Sequence, residues 1–258
     1  MTSEILFSLK AYLRALDIFI RYKLYKYLFI LLILLIIFAF PVVIFDFIVS
    51  KITALIPYAS AQEYALTGVS IAAGISGFIL LLVLSPVFSL VSEETGKRLT
   101  GVEYRFSPAQ LIKDIIRGLK ITLRNLVYQY LVIALISIAL YLLPEMKILE
   151  LTGSVLIFIV TAYFYGFSIL DYAMENLRMS YSESVEFVRS HPGYALGLGS
   201  IYYATIGFND WEIFSEALGH FSVYWSAFAE ALVAFFGVIA ASYIMYSYKL
   251  KSDRKLNE

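Results

Sequence analysis

Two runs of the chain, YLFILLILLIIFAFPVVIFDFIV at 27–49 and VSIAAGISGFILLLVLSPVFSLV at 69–91, carry almost no charge from end to end. An α-helix rises 1.5 Å per residue, so about 20 apolar residues cross a hydrocarbon core roughly 30 Å thick. Inside lipid every backbone N–H and C=O must be satisfied within the segment, which makes such a run a helix. Composition agrees. The chain is 60% hydrophobic and 16% charged, where soluble domains average about 45–50% and 25%. Its mean hydropathy is +0.79, so the apolar excess needs lipid rather than a larger core. No polar stretch is long enough to fold by itself, and residues 1–258 read as a single membrane domain.

Further apolar segments follow at 126–143, 151–170, 193–208 and 222–247. A turn around Pro144 joins the first two into a helical hairpin over 126–170, and the last two form a second over 193–247. Segment 193–208 is short, about 24 Å at that rise, so it tilts, borrows flanking residues or enters only part of the way. A polar, basic stretch precedes residue 27 and no small-residue cleavage site follows the first run, which therefore reads as a permanent anchor. The expected fold class is all-α: a polytopic integral membrane protein with two long transmembrane helices, helical hairpins and interfacial amphipathic helices.

Lys and Arg predict the orientation. If the six segments alternate from a cytoplasmic N-terminus, all 20 Lys and Arg fall on the cytoplasmic side except Lys51 and Lys147. The expectation is a multi-pass protein of the plasma (inner) membrane with both termini cytoplasmic. A hairpin that enters from the cytoplasm and returns gives nearly the same count, so charge leaves full and partial crossing open.

Amphipathic helices occupy the gaps. Ser107-Pro108 fits an N-cap followed by Pro at the first helical position over 107–125. Lys113, Arg117, Lys120 and Arg124 then share one face, with Ile112, Ile115, Ile116, Leu119 and Leu123 opposite. Residues 1–26 repeat the arrangement, with Lys10, Arg14 and Arg21 on one face and Leu6, Leu9, Leu13, Leu16 and Ile20 on another. Such helices suit the membrane surface, their cations beside anionic headgroups. Ser180 and Glu183 read as a capping box, and His191-Pro192-Gly193 stops that helix. The tail 249–258 reads as disordered.

Several chemistries are excluded. Zero net charge gives no reason to expect nucleic acid as a partner. Without cysteine, and with only His191 and His220, there is no disulfide framework or thiol nucleophile, and no metal site is expected. No phosphate loop, metal motif or nucleophile elbow is present, so no catalytic residue or cofactor is assigned and the chain does not read as an enzyme.

What remains is charge near or within lipid. Topology and headgroup contact already account for the basic clusters, but the stretch Arg21-Tyr22-Lys23-Leu24-Tyr25-Lys26 sets cations beside the backbone N–H groups of a helix start, an arrangement that can hold an oxyanion. Glu230 stands among Phe228, Ala229, Ala231 and Leu232. A carboxylate near mid-bilayer costs about 2.5–3.5 kcal/mol on insertion scales, so it reads either as a pore or coupling group or as a buried structural contact. Asp46 reads as interfacial, and Gln129 as satisfied by an interhelical hydrogen bond. Gly74, Gly77, Gly193, Gly197 and Gly199 mark close helix contacts. Pro86 bends the second segment. Tyr163, Tyr165 and Tyr172 are candidates to line a polar path.

Two stretches carry a resemblance. Ser85-Pro86-Val87-Phe88 leads into Leu90-Val91-Ser92-Glu93-Glu94, and Leu170-Asp171-Tyr172-Ala173-Met174-Glu175-Asn176 precedes Ser182-Glu183 and Gly197-Leu198-Gly199. In order and spacing they resemble the CysZ-type sulfate permease family, part of a wider etoposide-induced-protein superfamily. The resemblance implies an inner-membrane homo-oligomer that passes sulfate for assimilation into cysteine, with two long transmembrane helices and hairpins that only partly penetrate. It also implies sulfate binding at the start of the first long helix. The family has Gly-Leu-Arg there; the matching positions here are Lys23-Leu24-Tyr25, with Lys26 next. Arg21, Lys23, Leu24 and Lys26 are accordingly the candidate substrate-binding residues, Glu230 the candidate pore or coupling residue, and Pro86, Asp171, Tyr172 and Asn176 structural residues of the helix junction. Two other readings stay open: a non-transporting protein that organises lipids or partners through its basic amphipathic helices, and a carrier for another solute coupled to protons at Glu230.

Overall fold

The structure is a computed structural model that describes residues 1–37, 81–101, 108–143, 146–209 and 222–256. The greater part of both long runs, with Asp46, Lys51, Gly74 and Gly77, lies outside the described residues, as do Ser107, Pro144, His220 and the side chain of Lys113. Among the described residues every regular element is an α-helix: α1 (Thr2–Arg21), α2 (Tyr25–Ile37), α3 (Ser85–Thr100), α4 (Pro108–Tyr141), α5 (Lys147–Asn176), α6 (Tyr181–Ser190), α7 (Pro192–Asn209) and α8 (Ser222–Leu256). Three are long and apolar enough to cross a membrane, through Ile116–Tyr141, Lys147–Asn176 and Ala227–Leu250. The chain is an all-α, multi-pass membrane protein.

Small residues set how closely the helices approach. On α1, Ser8, Ala11, Ala15 and Ile18 recur at helical spacing and are buried against α7 and α8. Ser8 Oγ donates to the Tyr194 carbonyl at 3.2 Å and the Tyr12 hydroxyl to the Leu198 carbonyl at 3.1 Å. This docked face was not read from the sequence. The two faces that were read, the leucine stripe and the basic residues, are both exposed.

The tightest crossing is between α5 and α7. A Cβ at Gly166 would collide with the Ala195 carbonyl, and one at Gly199 with the Ala162 carbonyl. Ala162 and Gly166 on one helix face Ala195 and Gly199 on the other, the small-xxx-small pattern that lets membrane helices touch backbone to backbone. Beside this crossing, α8 buries Ala231, Ala234, Phe235, Val238, Ile239 and Ile244.

Helix boundaries follow local chemistry. The helix around 81 is interrupted at Leu84 and restarts as α3 with Pro86 in its first turn, because a proline ring clashes with the carbonyl four residues back. Ser180 and Glu183 form the capping box, Oγ and carboxylate each accepting the other's backbone N–H at 3.3 and 2.6 Å. Those bonds hold the Glu183 carboxyl below the usual carboxylate range.

Two features differ from the sequence reading. The basic amphipathic stretch and the apolar segment after it form one helix of 34 residues, α4. The C-terminal tail is helical as far as Leu256 rather than disordered from 249. Lys, Leu and Arg are good helix formers, and cations at a helix C-terminus complement its dipole.

Candidate functional site

The junction between α1 and α2 is built by a helix cap. The Lys23 N–H bonds to the Ile20 carbonyl at 3.3 Å and the Leu24 N–H to the Phe19 carbonyl at 3.1 Å. That pair of bonds is the Schellman motif, which needs a left-handed residue at the position Lys23 occupies. Lys23 has φ +55°. The cap aims its neighbours differently: Leu24 is completely buried, whereas Lys23 and Lys26 are exposed, as is Arg21. Arg21 lies 3.2 Å from Asp17, and Lys26 Nζ sits 4.6 Å from the Tyr27 ring centroid. The structure therefore brings Arg21, Lys23 and Lys26 to one exposed turn. Leu24 contributes no side chain to that surface, and the N–H groups of 23 and 24 are already engaged. Any anion there meets cationic side chains and only the N–H groups that follow residue 24.

A second polar cluster ties α3, α4, α5 and α6 together. Arg117 on α4 grips Asp171 on α5 with both terminal nitrogens, at 2.7 and 3.3 Å, and also donates to Ser184 Oγ on α6 at 2.6 Å. Glu175 is 3.9 Å from the same guanidinium and accepts from Ser89 Oγ at 2.9 Å. Asn176 Nδ2 donates to the Ser89 and Tyr172 carbonyls at 3.3 and 3.0 Å. The Tyr172 hydroxyl donates to the Leu81 carbonyl at 2.6 Å. A cavity of about 30 Å³ opens here between Pro86, Ser89, Thr122, Ser168, Asp171 and Glu175, room for one or two waters. With two carboxylates facing one guanidinium, the cluster is a clamp and repels a free anion.

Arg117 corrects the sequence reading, which left it at the headgroups. Its side chain is only 13% exposed. The signal was present: Asp171 and Glu175 end an apolar helix, and carboxylates there require a cation, which the antiparallel arm of the hairpin supplies.

Glu230 is buried within the α8 span. Tyr165 on α5 and Tyr202 on α7 are buried as well, with ring centroids 5.0 Å apart. Tyr165 and Tyr172 are buried and Tyr163 half-buried. Gln129 is buried too, yet its Oε1 meets no donor among the described residues, unlike the satisfied group expected. Gly193 and Gly197 both face α1, where an added Cβ would strike Met1 and Glu4, or Ser8 and Ile5.

None of the curated proteins searched matches the chain. A family model does, that of sulfate transporter CysZ/etoposide-induced protein 2.4, over residues 11–240. That match takes in the α1–α2 turn, the Arg117 clamp and Glu230. The chain belongs to the family of the sulfate transporter CysZ and etoposide-induced protein 2.4.

Proposed function

We propose that this membrane protein is a permease passing sulfate, or a closely related small oxyanion, into the cytoplasm for sulfur assimilation, with the α1–α2 turn as its anion mouth. The observation that carries the reading is the convergence of Arg21, Lys23 and Lys26 on one exposed turn inside the matched region. Arg21 shares its charge with Asp17, so Lys23 and Lys26 are the principal anion contacts. They act as point charges, without the two-pronged grip of an arginine.

Radiolabelled sulfate uptake into proteoliposomes tests this. A charge-assisted hydrogen bond is worth about 1.5–3 kcal/mol, so Lys23→Ala/Lys26→Ala raises the half-saturating sulfate concentration at least about tenfold. Alanine at 23 meets the same left-handed backbone penalty as lysine, so the turn is kept while its cations are removed. No uptake above empty liposomes by folded wild-type protein would remove sulfate as substrate.

The burial of Glu230 within a membrane span supports a coupling role in the same passage. Glu230→Gln then flattens the pH dependence of uptake; an unchanged profile would return Glu230 to a structural role.

A further inference from the structure

Where α1, the start of α7 and the last turns of the α8 span meet, aromatic rings enclose space instead of filling it. A cavity of about 50 Å³ lies between Phe7 on α1, Tyr194 on α7, and Ile244, Ser247 and Tyr248 on α8. A single water needs about 10–15 Å³, so the space holds a larger group. It opens at the surface, where Tyr248 is 38% exposed.

The rings stand as walls. Phe187 on α6 lies within 7° of parallel to Tyr194 and 83° from Tyr248, so Tyr194 and Tyr248 are nearly perpendicular. Phe7 is tilted 64° from Tyr194, with centroids 6.2 Å apart. Each wall is braced by a further ring. Tyr243 stacks on Phe7 at 5.9 Å, Phe187 stacks on Tyr194 at 6.2 Å, and His191 meets Tyr248 edge to face at 5.1 Å. Three braced rings at steep angles around one small space suit an ammonium group, because the negative face of a ring attracts a cation.

The surrounding charge agrees. Glu4 stands one turn before Phe7, and its carboxylate accepts the N–H of Gly193, the residue before Tyr194, at 3.2 Å. The exposed Met1 amine lies 3.7 Å from the same carboxylate. Lys10, one turn after Phe7, and Lys249, next to Tyr248, are both exposed. Depth points to lipid. Tyr248 is two residues from the end of the Ala227–Leu250 span, at the level where tyrosines meet headgroups. A carboxylate beside the rings, with cations outside them, matches a headgroup that carries an ammonium and a phosphate side by side.

We infer that Phe7, Tyr194 and Tyr248 form a headgroup site for phosphatidylethanolamine. The ammonium enters between the rings, where the Ser247 hydroxyl can accept one of its N–H groups, and the phosphate lies outward among the exposed lysines. A primary ammonium has three N–H donors and a trimethylammonium has none, so ethanolamine is preferred to choline. The site goes beyond the permease reading and stands whatever solute the protein carries.

The test titrates full-length protein in detergent with phosphatidylethanolamine, phosphatidylcholine or phosphatidylglycerol. Bound lipid is counted by native mass spectrometry, with thermal melts as the folding control. Wild type is expected to prefer phosphatidylethanolamine to both others. Tyr194→Leu/Tyr248→Leu lowers that affinity about tenfold and Tyr194→Phe/Tyr248→Phe keeps most of it, while phosphatidylglycerol binding is unchanged in both. Tyr248→Leu alone, at an exposed ring, gives a smaller loss in the same direction and decides the matter if the double variant does not fold. No preference in wild type, or an undiminished preference in folded Tyr248→Leu protein, overturns the site. Displacement of the lipid by an equal concentration of free ethanolamine would make the occupant a soluble amine and overturn the lipid assignment.

Discussion

Lys23 occupies a backbone position that glycine fills at little cost. A non-glycine residue in the left-handed region costs about 1–2 kcal/mol, and Lys23 accepts it at φ +55°. Arg178 does the same at φ +59°, in a second Schellman turn where its N–H bonds to the Glu175 carbonyl at 2.9 Å and the Met179 N–H to the Met174 carbonyl at 3.1 Å. On the permease reading the strain at 23 is tolerated because the cation belongs there. Lys23→Gly should therefore raise the melting temperature while weakening sulfate uptake, and a variant that lost stability instead would refute the strain argument. Arg117 supplies a second residue-level test. Removing one member of a buried ion pair costs about 3–5 kcal/mol, whereas replacing both with apolar groups is often neutral. Arg117→Met alone, which strands the buried Asp171 and Glu175, is expected to lower thermal stability severely, and Arg117→Met/Asp171→Leu/Glu175→Gln to recover most of it in the same melts. Roles like these are only half legible in a sequence. Asp171 stands out as a charge closing an apolar helix, but its partner lies 54 positions away, on a basic face that the positive-inside rule already explains.

Helices, by contrast, are written plainly in the hydropathy pattern. The apolar segments at 151–170 and 222–247 each lie within one described helix, 126–143 runs two residues past the end of α4 at Tyr141, and the capping box and the His191-Pro192 stop fall where the residues put them. Hydropathy does not record where a helix passes from one environment into another without a break. The 34 residues of α4 run from a basic stretch into an apolar one with continuous backbone. Nor does it reveal which small residues touch: α1 docks through Ser8, Ala11 and Ala15 rather than through its leucines. The α5–α7 crossing depends on such contacts. Gly199→Ala pushes a methyl group into the Ala162 carbonyl, which backbone cannot yield as a side chain would. Overpacking of this kind costs about 1–3 kcal/mol, so the variant should melt clearly below wild type. Gly118→Ala, where an added Cβ meets nothing within 4 Å, should not.

For the whole molecule the open question is how the α4–α5 hairpin meets the bilayer. The family resemblance implies partial penetration; helix length argues for a full crossing. From Leu170, just beyond the Arg117–Asp171 clamp, α5 runs back to Lys147, about 36 Å at 1.5 Å per residue, against a core of roughly 30 Å. Lys147 opens α5 at the hairpin tip, and a charge stranded at mid-membrane would be costly, so the tip belongs in water or headgroups on the far side. The chain has no cysteine, which makes any introduced thiol a clean reporter. In oriented vesicles, Met146→Cys should react with a membrane-impermeant maleimide from the external face only, and Ser190→Cys from the cytoplasmic face only. Reaction of Met146→Cys from neither face, with Ser190→Cys still cytoplasmic, would mean that the hairpin stops inside the membrane. On the permease reading the anion would then have to travel between protein and lipid, or between copies of the chain.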